Sequence, residues 1–339
     1  MLLNPTQAAA ALRCAAQNRF ALLAVNADSP AAITDCLEAA RQQDAPILIE
    51  TSLWQLTGNS FGAGDPVLGM ARYLVQLALL AQAPRYVGVP LLFHTDHIKG
   101  SVTVPLLQAA VRGLPTGCSG TTVSPSTISL DSSELTEWEN IHTLLELCRE
   151  SQRTERPLTL EMEAGVDDGV TPLDVAERLL QGVESVCPGY VALWAPGVGT
   201  QHGLGDQSAF SDAAVRAHQA LATRICGRPI GIALHGSSGL RPDQLTAAVA
   251  AGVTKVNWSS ESLLIRSQAA QEFYQTQAAR LVKSHPDWKA TAMDNGVQAF
   301  VSARYQPQVS ERIRRLGGEG KGAVIRECLA SLSGRLDSR

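Results

Sequence analysis

Short runs of apolar residues alternate with longer amphipathic stretches along most of this chain. The short runs are continuous and contain few polar residues, which is typical of parallel strands buried on both faces. The longer stretches repeat apolar residues at the i, i+3, i+4 spacing of a helix, most clearly over residues 136–153 with Trp138, Ile141 and Leu144. The pattern therefore predicts an α/β protein in which each strand is followed by a helix.

Eight strands are predicted by these apolar runs. They cover residues 20–25, 46–49, 87–93, 120–123, 158–162, 190–194, 230–234 and 253–256. Eight strand–helix units in roughly 265 residues match a (β/α)8, or TIM, barrel. A doubly wound open sheet is the alternative, but no GxGxxG motif follows the first strand to support it. We expect a single TIM-barrel domain over residues 1–339, with the barrel at about 18–285 and extra C-terminal helices at about 290–335.

Composition and charge exclude several classes of protein. The net charge of −4 argues against nucleic acid as a partner, because binding to the phosphate backbone needs clustered Lys and Arg. No apolar run reaches the length of about 18 residues that a membrane span requires, and the first residues lack the features of a secretory signal. The seven cysteines are scattered and form no CxxC pair, which is typical of free thiols in a reducing compartment. We therefore expect a cytoplasmic protein that binds neither membrane nor nucleic acid.

Polar and ionisable residues follow nearly every predicted strand. In chain order they are Asn26, Glu50, Ser52, His94, Asp96, His97, Ser129, Asp131, Glu161, Glu163, Asp167, Asp168, His202, His235, Asn257, Ser259 and Ser260. The C-terminal ends of the strands of a (β/α)8 barrel meet at one face, where the active sites of these barrels lie. The pattern therefore predicts that these side chains surround one pocket.

Three histidines among these residues come from different strands: His97, His202 and His235. Three imidazoles with an open fourth position are a common arrangement for catalytic zinc. Ordinary histidines at solvated strand ends are the alternative. Because three of them would share one face with carboxylates nearby, a metal centre is the better interpretation.

The segments after the last two strands are rich in small residues. Gly236-Ser237-Ser238-Gly239 and Ser259-Ser260 offer backbone N–H groups and hydroxyls at the starts of helices. Such segments bind anions, and barrels often hold a phosphate there. Helix capping by serine is the alternative. Two such loops on adjacent strands favour an anion site.

Several motifs in the same order resemble one known family. They are His94-Thr95-Asp96-His97, Ser129-Leu130-Asp131, Glu161-Met162-Glu163-Ala164-Gly165, Gly199-Thr200-Gln201-His202-Gly203, Leu234-His235-Gly236-Ser237-Ser238-Gly239 and Gly252-Val253-Thr254-Lys255-Val256-Asn257. In these motifs the chain resembles the class II, zinc-dependent fructose- and tagatose-bisphosphate aldolases. The resemblance implies a carbon–carbon lyase that acts on a small sugar phosphate, with a dihydroxyacetone-phosphate-type donor and an aldehyde.

The resemblance also assigns roles to individual residues. It implies that His97, His202 and His235 hold Zn²⁺, that Asp96 handles the proton of the aldehyde-derived hydroxyl, and that an acid on the loop after strand five removes the carbon-bound proton. Asp167 lies nearest that last position, and Asp168 is the alternative. Asp131, Glu161 and Glu163 would support or transiently bind the metal. The implied substrate-binding residues are Asn26, Ser52, Gly203, Gly236, Ser237, Ser238, Asn257, Ser259 and Ser260. A monovalent cation near the phosphate and a homodimer or homotetramer are further expectations.

Two departures from the family pattern concern the ends of the substrate. Asp206 stands where the family usually has a Lys that contacts the ketose phosphate, and Gln308 stands where it has an Arg that reaches the far phosphate. Charge-assisted contacts are the strong ones, so we expect altered specificity unless Arg304, Arg312 or Lys255 supplies the charge. An ordinary bisphosphate aldolase and a non-catalytic partner subunit of a tagatose-bisphosphate aldolase are the alternatives. The histidines and Asp96 argue against the last, because a scaffold needs neither.

Overall fold

Eight parallel strands form a single ring-like sheet. The computed structural model describes residues 1–99, 103–118, 120–132, 134–164 and 169–336. The strands are β1 (Leu22–Asn26), β2 (Ile47–Thr51), β3 (Leu91–Thr95), β4 (Ile128–Leu130), β5 (Leu160–Ala164), β6 (Val191–Pro196), β7 (Gly231–Leu234) and β8 (Val253–Trp258). They pair in the order β3-β2-β1-β8-β7-β6-β5-β4, and a bridge between His94 and Thr127 brings the two ends of the sheet together. The predicted (β/α)8 barrel is confirmed, and the open doubly wound alternative is wrong.

Helices surround the sheet. They are α1 (Pro5–Asn18), α2 (Pro30–Gln42), α3 (Leu53–Thr57), α4 (Pro66–Gln82), α5 (Thr103–Arg112), α6 (Glu137–Thr154), α7 (Leu173–Glu184), α8 (Asp212–Cys226), α9 (Pro242–Ala251), α10 (Ser260–Gln277), α11 (Trp288–Ala292), α12 (Asp294–Arg315) and α13 (Lys321–Leu336). Local sequence determines where several begin. The Thr136 hydroxyl accepts the Glu139 amide while the Glu139 carboxylate accepts the Thr136 amide, a capping box that starts α6. Within the described residues, no helix combines the length and apolarity that a membrane span needs.

Side chains inside the barrel form two layers. Successive residues of a strand point to opposite faces, so alternate positions face the barrel axis. The lower layer is apolar: Leu48, Leu92 and Leu193 pack with the Ala-rich helix α1, which covers the amino-terminal end of the barrel. The upper layer is polar because the next inward positions on β2 and β3 are Glu50 and His94. The polar, ionisable side chains of these strands therefore lie toward the carboxyl end of the barrel.

The fourth strand differs from its prediction. Thr122–Val123, within the predicted strand 120–123, pairs antiparallel with Leu114–Pro115 in a two-stranded sheet outside the barrel. The fourth barrel strand is β4, which is only three residues long. Hydroxyl groups fasten the chain just before β4 to β3, since the Ser126 hydroxyl accepts the Phe93 amide at 3.0 Å. A short strand preceded by polar residues gives no apolar run to recognise.

The C-terminal helices pack on the outside of the barrel. Helix α12 lies against α2 and α10, and α13 lies against α1. Tyr305 of α12 is fully buried and stacks on Trp258 of β8, with ring centroids 5.8 Å apart. This packing brings residues near position 312 against the loop that follows β7.

Candidate active site

Three histidines converge at the carboxyl end of the barrel. His97 follows β3, His202 lies in the loop after β6, and His235 follows β7. One ring nitrogen of each lies within 4.8 Å of the others, and the ring centroids are 4.6, 5.0 and 6.0 Å apart. Three separate elements therefore bring three possible metal ligands together, as expected when strands from different parts of a barrel end at one face.

A backbone turn at His97 brings two adjacent side chains into the site. In a strand, Asp96 and His97 would point to opposite faces. His97 instead has φ +45°, in the left-handed region that few residues other than glycine adopt. The Asp96 amide donates to the Thr51 carbonyl at 2.9 Å and holds the start of this turn. Both side chains line the same cavity as a result.

The distance between two of these histidines fits a tetrahedral metal ion. The Nδ1 atom of His235 lies 3.3 Å from Nε2 of His97. Two ligands of a tetrahedral zinc ion with bonds of about 2.0–2.1 Å lie about 3.3–3.4 Å apart. The other nitrogen of each ring meets a carboxylate: His235 Nε2 lies 2.9 Å from Glu161, and His97 Nδ1 lies 3.1 Å from Asp131. Carboxylates commonly orient metal-binding histidines in this way.

Glu163 differs from the two carboxylates that bond to the rings. Its Oε1 accepts a hydrogen bond from the Ser129 hydroxyl, while its Oε2 is buried with no hydrogen-bond partner in the described part of the chain. Burial raises the pKa of this carboxyl well above its ordinary value. Ligand atoms of Glu163 lie close to those of His97 and His235 in two further groups that could hold a metal. An unsatisfied buried oxygen at this point fits an additional metal ligand.

A buried lysine lies beneath the histidine cluster. Lys255 of β8 is fully buried, and its Nζ lies 2.9 Å from a Glu161 oxygen and 3.2 Å from a Glu50 oxygen. Burial raises the pKa of Glu50 well above its usual range, although Lys255 opposes this. Burial acts the same way on Glu161, but Lys255 outweighs it and lowers the pKa of Glu161. Lys255 thus compensates an ionised Glu161 and is not available to a substrate anion.

His94 extends this buried network. Its Nε2 lies 3.5 Å from a Glu161 oxygen, and its Nδ1 lies 2.7 Å from the Thr127 hydroxyl. Burial lowers the pKa of His94, and the nearby charge of Lys255 lowers it further. His94 therefore contacts a carboxylate that orients His235 and lies behind the three clustered rings.

Asp96 is oriented by two amide side chains. Asn26 Nδ2 donates to one carboxylate oxygen at 3.0 Å, and Asn257 Nδ2 donates to the other at 2.8 Å. Burial alone would raise the pKa of Asp96, but the positive charges of the neighbouring imidazoles and of Lys255 outweigh it and lower the pKa to about 2. Asp96 is therefore an ionised carboxylate in a fixed position beside the histidine cluster, and this position is the reason to consider it as a proton acceptor.

A cavity of about 270 Å³ opens beside this carboxylate. Its lining is Asp96, His97, Lys99, His202, Gly203, Gly236, Ser237, Ser238, Asn257, Ser259 and Ser260. Seven of the nine expected substrate-binding residues are in this lining. The other two lie elsewhere: Asn26 stands behind Asp96, and Ser52 is buried at the start of α3, where its amide donates to Gln55. Asp167 and Asp168, the expected proton acceptors, lie outside the described residues.

A glutamine fastens the loop that carries His202. The side-chain amide of Gln207 donates to the Gln201 and Ser238 carbonyls, each at 2.9 Å, and its oxygen accepts the Gln201 amide. These contacts tie the loop after β6 to the loop after β7, so His202 has a defined place although it is exposed. Sequence reasoning missed Gln207, because a lone Gln in a polar loop carries no periodic signal.

Of the charged residues considered as partners or opponents of a substrate anion, Asp206, Arg304 and Arg312 do not line the cavity. Asp206 accepts hydrogen bonds from the Ser208 amide and hydroxyl and is not part of the cavity lining. Arg304 pairs with Glu272 on the surface, and Arg312 is buried behind Ser237. Lys99, which the sequence did not single out, lines the cavity and pairs with Glu134 at 2.8 Å.

Comparisons with known proteins identify the family and the fold. A family model described as fructose-bisphosphate aldolase class-II matches residues 6–321. The fructose-bisphosphate aldolase of Streptococcus pneumoniae serotype 4 is 26% identical over 326 residues, which cover 91% of this chain and 97% of the relative. That of Candida albicans is 28% identical over 271 residues, covering 73% and 74%. A solved structure of fructose-bisphosphate aldolase from Campylobacter jejuni has the same fold, with a TM-score of 0.79 at 21% identity over 94% of this chain and 97% of that one. Because the family model spans nearly the whole chain, this protein belongs to the class II fructose-bisphosphate aldolase family, a family of carbon–carbon lyases.

Proposed function

We propose that this chain is a zinc-dependent aldolase that reversibly joins a dihydroxyacetone-phosphate-type donor to an aldehyde, with specificity shifted away from bisphosphate sugars. The observation that carries the proposal is the cluster of His97, His202 and His235 beside Asp96. Nitrogens 3.3 Å apart on two of the rings suit zinc, and each of those rings is backed by a carboxylate. Zinc bound there supplies a Lewis acid that polarises a ketone.

Within this proposal, the chain's own residues position and deprotonate the substrate. Asp96 takes the proton of the hydroxyl on the aldehyde-derived carbon, because it is ionised and lines the cavity. Asn257 can contact the substrate through its side-chain oxygen. Its Nδ2 donates to Asp96, while its Oδ1 is buried without a hydrogen-bond partner among the described residues. A hydroxyl of the ketose fragment would satisfy this oxygen.

In the condensation direction the donor loses a carbon-bound proton, and in the cleavage direction the same carbon regains it, so this position needs a second carboxyl group. We propose Asp167, or Asp168, for this role, because these two residues closely follow Glu161 and Glu163 in the sequence. Asp131 and Glu161 orient the metal-binding rings, and Glu163 is the extra ligand that the metal can use. These roles keep one carboxylate for each proton that the reaction moves.

Zinc binding provides the most direct test of the proposal. Purified protein is expected to hold about one zinc ion per chain by metal analysis, and His202→Ala is expected to weaken zinc binding and abolish aldol cleavage. His142→Ala on the surface of α6 is the matched control and is expected to change neither zinc content nor cleavage. The contacts of His142 are with Trp138 and Glu146 of the same helix, and not with the histidine cluster. Substoichiometric metal that is unaffected by His202→Ala would contradict the enzyme proposal and favour a non-catalytic partner subunit.

Substrate choice is the subject of a second prediction. We expect fructose 1,6-bisphosphate to be a poor substrate, because Lys99 is the one cation among the cavity-lining residues described and it already pairs with Glu134. A lost charge-assisted contact costs about 1.5–3 kcal/mol, or roughly 10- to 200-fold in kcat/KM. Condensation of dihydroxyacetone phosphate with a panel of neutral and phosphorylated aldehydes measures the preference. The relatives named fructose-bisphosphate aldolase favour the ordinary activity, and equal or better turnover of the bisphosphate would establish it.

A further inference from the structure

Arg312 of α12 reaches the back of the loop after β7, which we call the Ser237 loop (residues 236–239). Its side chain is only 9% exposed. Nη2 donates to the Ser237 carbonyl at 2.8 Å, and the same nitrogen lies 3.5 Å from the Ser237 hydroxyl oxygen. A buried guanidinium on a C-terminal helix therefore contacts a loop that lines the substrate cavity from the opposite side.

The contact determines which way one peptide group points. In a trans peptide the carbonyl of Ser237 and the N–H of Ser238 point in opposite directions. The Ser237 carbonyl is held outward by Arg312 and by the Leu240 amide, which donates to it at 3.1 Å. The Ser238 N–H consequently points away from Arg312. No acceptor for it occurs among the described residues, whereas Ser238 itself lines the cavity.

The hydroxyl of Ser237 is not available to a substrate. It donates to the Asn257 carbonyl and so fastens the loop to the end of β8. Ser238 Oγ accepts the Glu261 amide at 3.2 Å, which fastens the other side of the loop to the start of α10. This loop can offer an anion its backbone amides and the O–H of Ser238, but not the hydroxyl of Ser237.

The charge of Arg312 is only partly compensated. Nη1 pairs with Glu261 at 3.0 Å, the guanidinium lies over the Trp258 ring at 5.0 Å, and the buried Nε has no hydrogen-bond partner among the described residues. Glu261 is itself one-third exposed and also accepts the Trp258 indole N–H. Arg312 thus places a guanidinium group, paired with Glu261, directly behind the Ser237 loop, and residues 236–239 include no cation of their own.

We infer that Arg312 is a positioning residue for an anionic group, of the phosphate type, on the donor substrate: it turns the Ser238 amide toward the cavity and places a positive charge behind the Ser237 loop. This inference rests on the proposed function, because it concerns the donor end of the same cavity. It assigns no contact between Arg312 and the substrate itself.

Two donor substrates separate this role from a general structural one. With dihydroxyacetone phosphate, Arg312→Met is expected to raise KM at least roughly tenfold at nearly unchanged kcat. With dihydroxyacetone, which lacks the anion, both constants are expected to stay near those of the unsubstituted enzyme. Arg312→Lys keeps the charge but cannot serve both Ser237 and Glu261, so an intermediate KM is expected. Equal losses with both donors would overturn the inference.

Matched variants on the same surface sharpen the test. Arg304→Met removes an exposed arginine of the same helix, paired with Glu272, and is expected to change neither donor's KM. Glu261→Gln removes the acid that opposes Arg312 while keeping an oxygen for the Trp258 indole, so the KM for dihydroxyacetone phosphate is expected to fall. An unchanged or higher KM in Glu261→Gln would contradict the inference even if Arg312→Met failed to fold.

Equilibrium binding of inorganic phosphate provides a readout that does not need turnover. Calorimetric titration of the zinc-loaded protein is expected to show weaker phosphate binding in Arg312→Met and tighter binding in Glu261→Gln. Arg312-dependent phosphate binding in a protein without aldol activity would reject the proposed function and keep the inference. Aldol activity together with phosphate binding that does not depend on Arg312 would keep the proposed function and reject the inference.

Discussion

Replacing Asp96 by alanine is expected to lower kcat for aldol cleavage by about 10²- to 10⁴-fold while zinc stays bound. Asp96 is an ionised carboxylate at the cavity wall, and its two oxygens accept from Asn26 and Asn257. Its Oδ1 lies 3.8 Å from Nε2 of His97, which is longer than a hydrogen bond, so we expect its removal to leave this ring nitrogen in place. Cleavage assays combined with metal analysis of the same preparation measure both quantities.

The asparagine variant is the informative companion to this substitution. Asp96→Asn keeps the size of the side chain, but its NH2 group must face one of the two donating amides, since both neighbours present Nδ2. We expect activity as low as that of Asp96→Ala and full zinc content. Loss of zinc in either variant would show that Asp96 is a metal ligand, and substantial remaining activity would show that another group accepts the proton.

The second large effect concerns stability. Replacing Lys255 by methionine is expected to lower the free energy of unfolding by about 3–5 kcal/mol, because it leaves Glu161 as a buried carboxylate without its cation. Lys255 is fully buried and lies within 3.2 Å of oxygens of both Glu50 and Glu161. Urea denaturation of the chelator-treated proteins measures the difference without a contribution from metal binding.

A double variant shows whether the loss comes from charge. Adding Glu161→Gln to Lys255→Met removes the ionised carboxylate that the lysine compensates, so part of the lost stability is expected to return. Arg326→Met, which removes a surface pair with Asp44, is the control and is expected to cost no more than about 1 kcal/mol. A Lys255→Met variant as stable as the unsubstituted protein would show that Glu161 is neutral in the folded state.

Much of the fold was readable from apolar runs, because parallel strands buried on both faces leave a strong pattern. The fourth strand was not, since β4 has three residues and its neighbours Ser126 and Thr127 are polar. The polar groups of Ser126 and Thr127 bond to β3, as the Ser126 hydroxyl does to Phe93, so the strand position depends on partners that a local window does not contain. The position of β4 therefore depends on contacts between segments that are distant in the sequence.

The candidate site divides in the same way. His97, His202 and His235 were predicted to meet because each follows a strand, and strand ends of a barrel share a face. The place of Lys255 was not predicted. Lys255 and Asn257 are two positions apart on β8, so both point toward the barrel axis. The sequence pattern does not tell how deep along this axis a residue lies. A buried ion-pair partner therefore resembled a possible phosphate ligand.

Arg312 illustrates the limit more sharply. Its partner Ser237 is 75 positions away in the sequence, and the contact arises only because α12 packs on α2 and α10. Lys99 was missed for another reason: it follows His97 in a turn whose left-handed backbone is set by its surroundings. Neither position carries a periodic signal of its own.

The position of α12 at the outside of the barrel has a consequence for synthesis on the ribosome. All three clustered histidines and Asp96 lie before residue 236, whereas Arg312 emerges some 75 residues after Ser237. A nascent chain therefore carries all three histidines and Asp96 before the wall behind the Ser237 loop has been synthesised. Premature termination near residue 290 would release a product with every proposed metal ligand and an unfinished donor pocket.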